Sequence, residues 1–343
     1  MYKISEERTT ASVYHLLKGK RSSQTIQDAN IYQLSSYFGI LKHLNRSVFE
    51  QAIVALKEKE LLTIKENNIA VPTIKGVRYL VSHKNQFPIG FFNGMEFSSE
   101  IDAFYTKLQL AIQTYSNVAN DNHQFIPITD DRLIQEFVKK HYHYHISNLD
   151  GWLYDVYQEL LRFLDQLPSE QAQLFVDRLS GYNKIGLSLN QLAYKNSMST
   201  TDVSLNLTCI LHQLYAYLKT ESNRTLQLSR FVSANRQTLV ITQSAQQTNQ
   251  WLLKGFSIAQ IAKIRKLKLS TIEDHIIEIA YADPQFNLSL FIDDPTYDTI
   301  STAIKQTNTT KLKEIKEMLN DKYNYFQIRL VLAYVKDRKR SIK

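Results

Sequence analysis

Apolar residues recur at helical spacing along most of the chain, and one stretch shows the pattern most sharply. In GFSIAQIAKIRKLKLSTIEDHI, residues 255–276, Ser257 stands where a side chain caps a helix, with Ile258, Ile261 and Ala262 facing inward. Lys266-Leu267-Lys268 forms a short turn with its apolar residue turned in. Ser270 then opens a second helix, and Ser270-Thr271-Ile272-Glu273 fits the S-x-x-E capping box. Ile272, Ile276 and Ile279 supply the inner stripe. The spacing predicts helices over 257–265 and 270–280 joined at 266–268, a helix-turn-helix.

Three regions separate by pattern, and the predicted fold class is mainly α. Residues 1–95 open with helical periodicity. A helix capped by Asn45 follows, with Phe49, Ala52, Ile53 and Leu56 inward. In LLTIKENNIAVPT, apolar residues alternate on either side of Glu66-Asn67-Asn68, the mark of a hairpin. Helices followed by a small hairpin predict a winged-helix-like N-terminal domain. The segment SHKNQFPIGFFNGM breaks the periodicity and reads as a boundary. Residues 96–246 are almost continuously amphipathic, which predicts a helical middle domain. Residues 247–343 hold the C-terminal helix-turn-helix domain and a basic tail.

The middle region echoes the last one. GLSLNQLA at 186–193 aligns without gaps to GFSIAQIA at 255–262, with Gly, Ser, Gln and Ala identical. Met198 matches Leu267 as the apolar turn residue, and Val203 matches Ile272 in the following helix. Residues 186–214 are therefore expected to form a second, degenerate helix-turn-helix. A weaker third echo is LLKG, at 16–19 and again at 252–255.

Composition narrows the function. The chain has 343 residues, 43% apolar and 22% charged, as in ordinary globular proteins. Its single cysteine, Cys209, excludes an intramolecular disulfide and a multi-cysteine zinc site. It lies in an apolar helical stretch and reads as a buried thiol. The N-terminus lacks the apolar core of a signal peptide and no run is long enough to span a membrane, so a cytoplasmic protein with no membrane contact is expected. The net charge of +8 is uneven: 13 Lys/Arg against 7 Asp/Glu in 1–84, 12 against 15 in 85–246, and 16 against 11 in 247–343. Basic ends flanking an acidic middle fit contact with a polyanion.

In a helix-turn-helix the second helix enters the major groove while the first helix and turn lie near phosphates. Lys263, Arg265, Lys266 and Lys268 are placed for phosphate contact, and Thr271 and His275 for bases. Asp274 and Glu278 would put negative charge on the reading helix, so weak sequence specificity is expected. Lys18, Lys20 and Arg21 beside Gly19 combine cations with backbone N–H groups at a helix junction. Lys336, Arg338, Lys339, Arg340 and Lys343 form the basic tail. Around the second unit only Lys184 and Lys195 are cationic, which makes that copy structural. No catalytic residues, metal or cofactor are expected. GKRS at 19–22 is not a P-loop, because Tyr14 stands where the earlier glycine belongs. In HYHYH, 141–145, a helix aligns only His141 and His145, too few for a metal site.

From 248 onward, TNQWLLKGFSIAQIAKIRKLKLSTIEDHIIEIA, LFIDD, KLKEIKEML and YFQIRLVLAYV resemble the helicase-associated helix-turn-helix domain at the C-terminus of bacterial RecQ-type helicases. ASVYHLLKGKRSSQTIQDANIYQLSSYFGIL, 11–41, resembles the start of a stand-alone, helicase-lacking protein of low-GC Gram-positive bacteria encoded beside a RecQ-type gene. The resemblance implies a non-enzymatic, nucleoid-associated accessory that binds DNA and recruits or assists a RecQ-type helicase in replication and repair. Two alternatives stay open: an adaptor whose helix-turn-helix units dock the helicase without touching DNA, and a transcription regulator.

Overall fold

A computed structural model describes residues 2–4, 7–83, 89–233, 240–283, 285–307 and 311–338. The chain is mainly α. The first part holds α1 (Thr10–Lys18), α2 (Ser23–Ile31), α3 (Arg46–Glu58), strands β1 (Leu62–Lys65) and β2 (Ile69–Pro72), and α4 (Ile74–Ser82). Next come α5 (Gly94–Phe97), α6 (Ile101–Val118), α7 (Arg132–His145), α8 (Leu149–Leu164) and α9 (Ser169–Asp177). Then follow α10 (Leu189–Lys195), α11 (Thr200–Lys219), α12 (Gln243–Leu252), α13 (Ile258–Arg265) and α14 (Leu269–Ala282). The last are α15 (Asp294–Thr307), α16 (Leu312–Met318) and α17 (Tyr325–Arg338).

The expected hairpin forms as a two-stranded sheet, β1 beside β2. Asn67 and Asn68 both take positive φ, 61° and 60°, in its turn. Such angles cost asparagine less than most residues. In α3, Phe49 is buried and Ile53 and Leu56 are half-buried, but Ala52 is exposed. Residues 84–88 of the expected boundary segment lie outside the described residues.

Two compact units emerge. One comprises residues 1–35, 65–70 and 237–343, the other 36–64 and 71–236. This division cuts across the consecutive segment 1–95. The first 35 residues pack with the C-terminal region because α2 lies against α14. The Arg329 guanidinium donates to Gln27 Oε1 at 2.8 Å, and Ile31 joins the C-terminal core. Asp28, in the same helix, is held by Arg8 at 2.9 Å.

The core of the first unit gathers Ile261, Ile272, Ile276, Ile300, Ile315, Ile328 and Val331, all fully buried. Each such side chain contributes about 1.5–3 kcal/mol on leaving water. The second unit has an aromatic core of Trp152, Tyr115, Phe104, Phe175, Tyr215 and Phe231. The buried Glu159 carboxylate there accepts from the Gln227 and Leu228 N–H groups at 2.8 and 3.0 Å. Cys209 is buried, and burial pushes its thiol up to about 11, as the sequence indicated. No helix among the described residues is long and apolar enough to cross a membrane.

Candidate nucleic-acid interface

The helix-turn-helix at 257–282 is built from local signals. The Ser257 hydroxyl accepts from the Gln260 N–H, and Gln260 Oε1 accepts from the Ser257 N–H at 2.9 Å, a reciprocal capping box that opens α13. Lys266 ends the helix in the left-handed region at φ 52°. The Leu267 N–H then reaches back to the Ala262 carbonyl at 3.0 Å, so Leu267 packs on the core. The second expected box is not made. Helix α14 starts one residue early, at Leu269, with Lys268 as its N-cap and no side-chain capping bond. Glu273 does not cap.

Helix α14 packs against α2, α12, α13 and α17. From His275 through Tyr281 every side chain is buried. Three expectations change in consequence. His275 cannot meet a base: its Nδ1 is 2.9 Å from the Thr248 hydroxyl, and burial, then the nearby Arg265 charge, lower its pKa. Glu278 is fully buried and accepts from the Thr242 N–H and hydroxyl, so it adds no charge to the reading surface. Asp274 pairs with Arg329 at 2.7 Å. The accessible part of α14 is its first turn: Leu269 and Ser270, with Thr271 half-buried.

Arg265 is also corrected. Its guanidinium donates to the Ser244 carbonyl at 2.7 Å, the Ser244 hydroxyl at 3.0 Å, Gln247 Oε1 at 2.9 Å and the Thr248 hydroxyl. It ties α13 to α12 and has few donors left for a phosphate. Lys263, Lys266 and Lys268 remain exposed. They sit in a stretch, residues 240–272, without a single Asp or Glu. Lys254 belongs with them and was missed by sequence reasoning: it is exposed, 4.8 Å from the Trp251 ring. By compact unit, the first carries 22 Lys/Arg against 15 Asp/Glu and the second 19 against 18, so nearly all the net charge lies in the unit that contains this helix-turn-helix.

The cluster at Gly19 is different from the expectation. The Gly19 and Lys20 N–H groups close α1 onto the Leu16 and His15 carbonyls at 3.0 and 2.9 Å. Those donors are spent and hold no anion. Lys18 lies 5.7 Å from the Tyr14 ring, while Lys20 and Arg21 are exposed. Arg338 ends α17, whereas Lys339 and Arg340 lie outside the described residues.

The internal echo is a shared backbone design. Ser188 and Gln191 form the same reciprocal box as Ser257 and Gln260. Ser197 takes φ 52°, as Lys266 does, and the Met198 N–H reaches the Ala193 carbonyl at 3.0 Å. Leu192, Val203 and Leu207 are buried together, matching Ile261, Ile272 and Ile276. The LLKG segments both close a helix on a positive-φ glycine, Gly19 at 69° and Gly255 at 83°. After the first of them, α2 ends in a similar turn at Gln33, φ 54°, but a 3-10 turn at Ser35–Tyr37 follows instead of a long helix. In HYHYH, His141 is buried with Nδ1 2.6 Å from the Tyr115 hydroxyl, and His145 meets Arg230.

Comparison with known proteins agrees with this geometry. A helix-turn-helix domain family matches residues 244–332. Protein YpbB of Bacillus subtilis (strain 168) is 31% identical over 335 residues, covering 96% of this chain and 94% of that protein. No solved structure matches.

Proposed function

The chain belongs to the family of protein YpbB, and on that footing we propose that it is a DNA-binding accessory protein, with no catalytic machinery of its own, that recruits or assists a RecQ-type DNA helicase in replication and repair. The observation that carries the DNA part is the placement of Lys263, Lys266 and Lys268, exposed around one helix-turn-helix turn in a carboxylate-free stretch. Cations there meet phosphates, which position a protein without reading sequence. Base contact is confined to the first turn of α14, through Ser270 and Thr271, so sequence preference is weak and an operator-reading regulator is disfavoured. The helicase part is supported by the likeness of the region from 248 onward to the helicase-associated domain. On this reading the protein works at the nucleoid, in the cytoplasm.

One observation favours the adaptor reading. Leu253, Ile264 and Leu269 are exposed among the lysines, and apolar side chains on an open surface suit a protein partner. The two readings separate by experiment. The purified chain is mixed with the RecQ-type helicase of the same organism, and complex formation and ATPase are followed with and without DNA. The proposal expects a complex, altered DNA-dependent ATPase of the helicase, and no ATP hydrolysis by the chain alone. Failure to associate under any condition, or ATPase by the isolated chain, overturns it. A complex without any affinity for DNA selects the adaptor.

A further inference from the structure

The two helix-turn-helix copies differ most where they share exposed positions. The alignment that pairs Gly186 with Gly255 also pairs Ile185 with Lys254, Tyr194 with Lys263, Ser197 with Lys266 and Ser199 with Lys268. All eight are exposed. In the second unit, two cations of the first are thus replaced by large apolar or aromatic side chains. Tyr194 is 91% exposed and Ile185 89%, and Tyr182 nearby is 39% exposed. No folding reason keeps such residues in water.

They share one anchor. The Asp177 carbonyl accepts the Leu187 N–H at 2.8 Å, and its carboxylate takes the Lys195 ammonium at 2.5 Å. Partial burial acts to raise the Asp177 pKa, but hydrogen bonds from Lys195 and Gln173 and the charges of Lys195 and Lys184 hold it below its ordinary value. The loop carrying Tyr182, Lys184 and Ile185 and the end of α10 carrying Tyr194 are therefore fastened at a single point. Residues 178–201 contain three cations and no Asp or Glu. The exposed amides of Asn183 and Asn190 complete a surface of rings, amide groups and positive charge.

We propose that this face, Tyr182, Lys184, Ile185 and Tyr194, is a second nucleic-acid site, selective for single strands, on which unpaired bases stack. Exposed rings beside a cation, with the neighbouring Asp177 carboxylate buried and paired with Lys195, fit a flexible polyanion whose bases are open. A duplex is disfavoured, because serines replace the two turn lysines and Asp202 stands at the start of α11. The site stands on this unit alone and does not depend on DNA binding by the C-terminal copy.

The test uses the full chain in which Lys263, Lys266 and Lys268 are changed to Gln, so that the C-terminal copy is weakened. Fluorescein-labelled oligothymidylate and a labelled hairpin duplex are titrated by anisotropy. Tyr194→Ala in this background is expected to weaken single-strand binding roughly tenfold, the loss typical of one stacked base. Tyr194→Phe, which keeps the ring, should retain it. In the otherwise unaltered chain, Tyr194→Ala should leave duplex affinity unchanged, with circular dichroism confirming the fold. An iododeoxyuridine-substituted single strand should photo-crosslink to Tyr194. Undetectable single-strand binding, or affinity unmoved by Tyr194→Ala, overturns the proposal. So does a variant that loses helicase binding and keeps the oligonucleotide, which would make the face a protein dock. Failure of the C-terminal reading shows separately, as a duplex affinity that the three lysine changes do not alter.

Discussion

Arg265 illustrates how a cation in a basic cluster is absorbed by the fold. Its four polar partners on α12 make it a strut, whereas Lys266, one residue on, is free of such ties and exposed. Arg265→Gln should cost roughly 2 kcal/mol, since hydrogen bonds to charged groups contribute about 1.5–3 kcal/mol. Denaturant unfolding reads that loss, and DNA affinity measured where the variant is folded should keep its salt dependence. The buried histidines give a second test. His141 is lowered to about 4 by burial and then by the charges of His145 and Arg230, and His212 to about 4 by burial and then by Lys42. Their folded values lie below the unfolded value of about 6.5, so the unfolded chain takes up protons first. The stability from keeping them neutral is complete above that pH and is lost as pH falls toward 4. Thermal melts between these limits should show the second unit weakening, and His141→Phe should flatten the dependence. A transition temperature indifferent to pH would refute the assignment.

At the scale of elements, the two helix-turn-helix units place their equivalent glycines under different constraints. A Cβ on Gly186 would lie 2.3 Å from the Arg178 carbonyl oxygen, whereas Gly255 faces open space at φ 83°. Gly255→Asn should therefore be tolerated, because asparagine visits positive φ. Gly186→Asn should destabilise by about 1–3 kcal/mol through overpacking, and equal losses in denaturant unfolding would contradict the geometry. The capped helix, the turn and the echo were legible because caps and inward isoleucines act over a few residues. The environment of α14 was not. Nothing in STIEDHIIEIA tells that α2, from the other end of the chain, packs on it, or that Thr248 of α12 and Thr242 at its N-cap meet the buried His275 and Glu278. The false capping box has a local origin: once Leu269, which is exposed, joins the helix, Ser270 is inside it. Tyr194 and Ile185 carried a signal, since extending the alignment by one residue at each end sets them opposite Lys263 and Lys254, but only exposure gives that substitution meaning.

For the whole molecule, charge is divided by compact unit and not by position along the chain. The unit assembled from both ends holds the excess of cations, and the other is nearly balanced. On the proposed function, long-range attraction to DNA is concentrated on one unit. The central claim is that Lys263, Lys266 and Lys268 bind DNA through phosphates, and the salt dependence of duplex affinity tests it most directly. Each phosphate contact adds about 0.9 to the slope of log affinity against log salt. Anisotropy titrations at several salt concentrations should give a steep slope for the unaltered chain. Lys266→Gln with Lys268→Gln should lower it by about one to two units, alike for unrelated sequences. A slope unchanged by the two substitutions, or a flat response in the unaltered chain, would contradict the account.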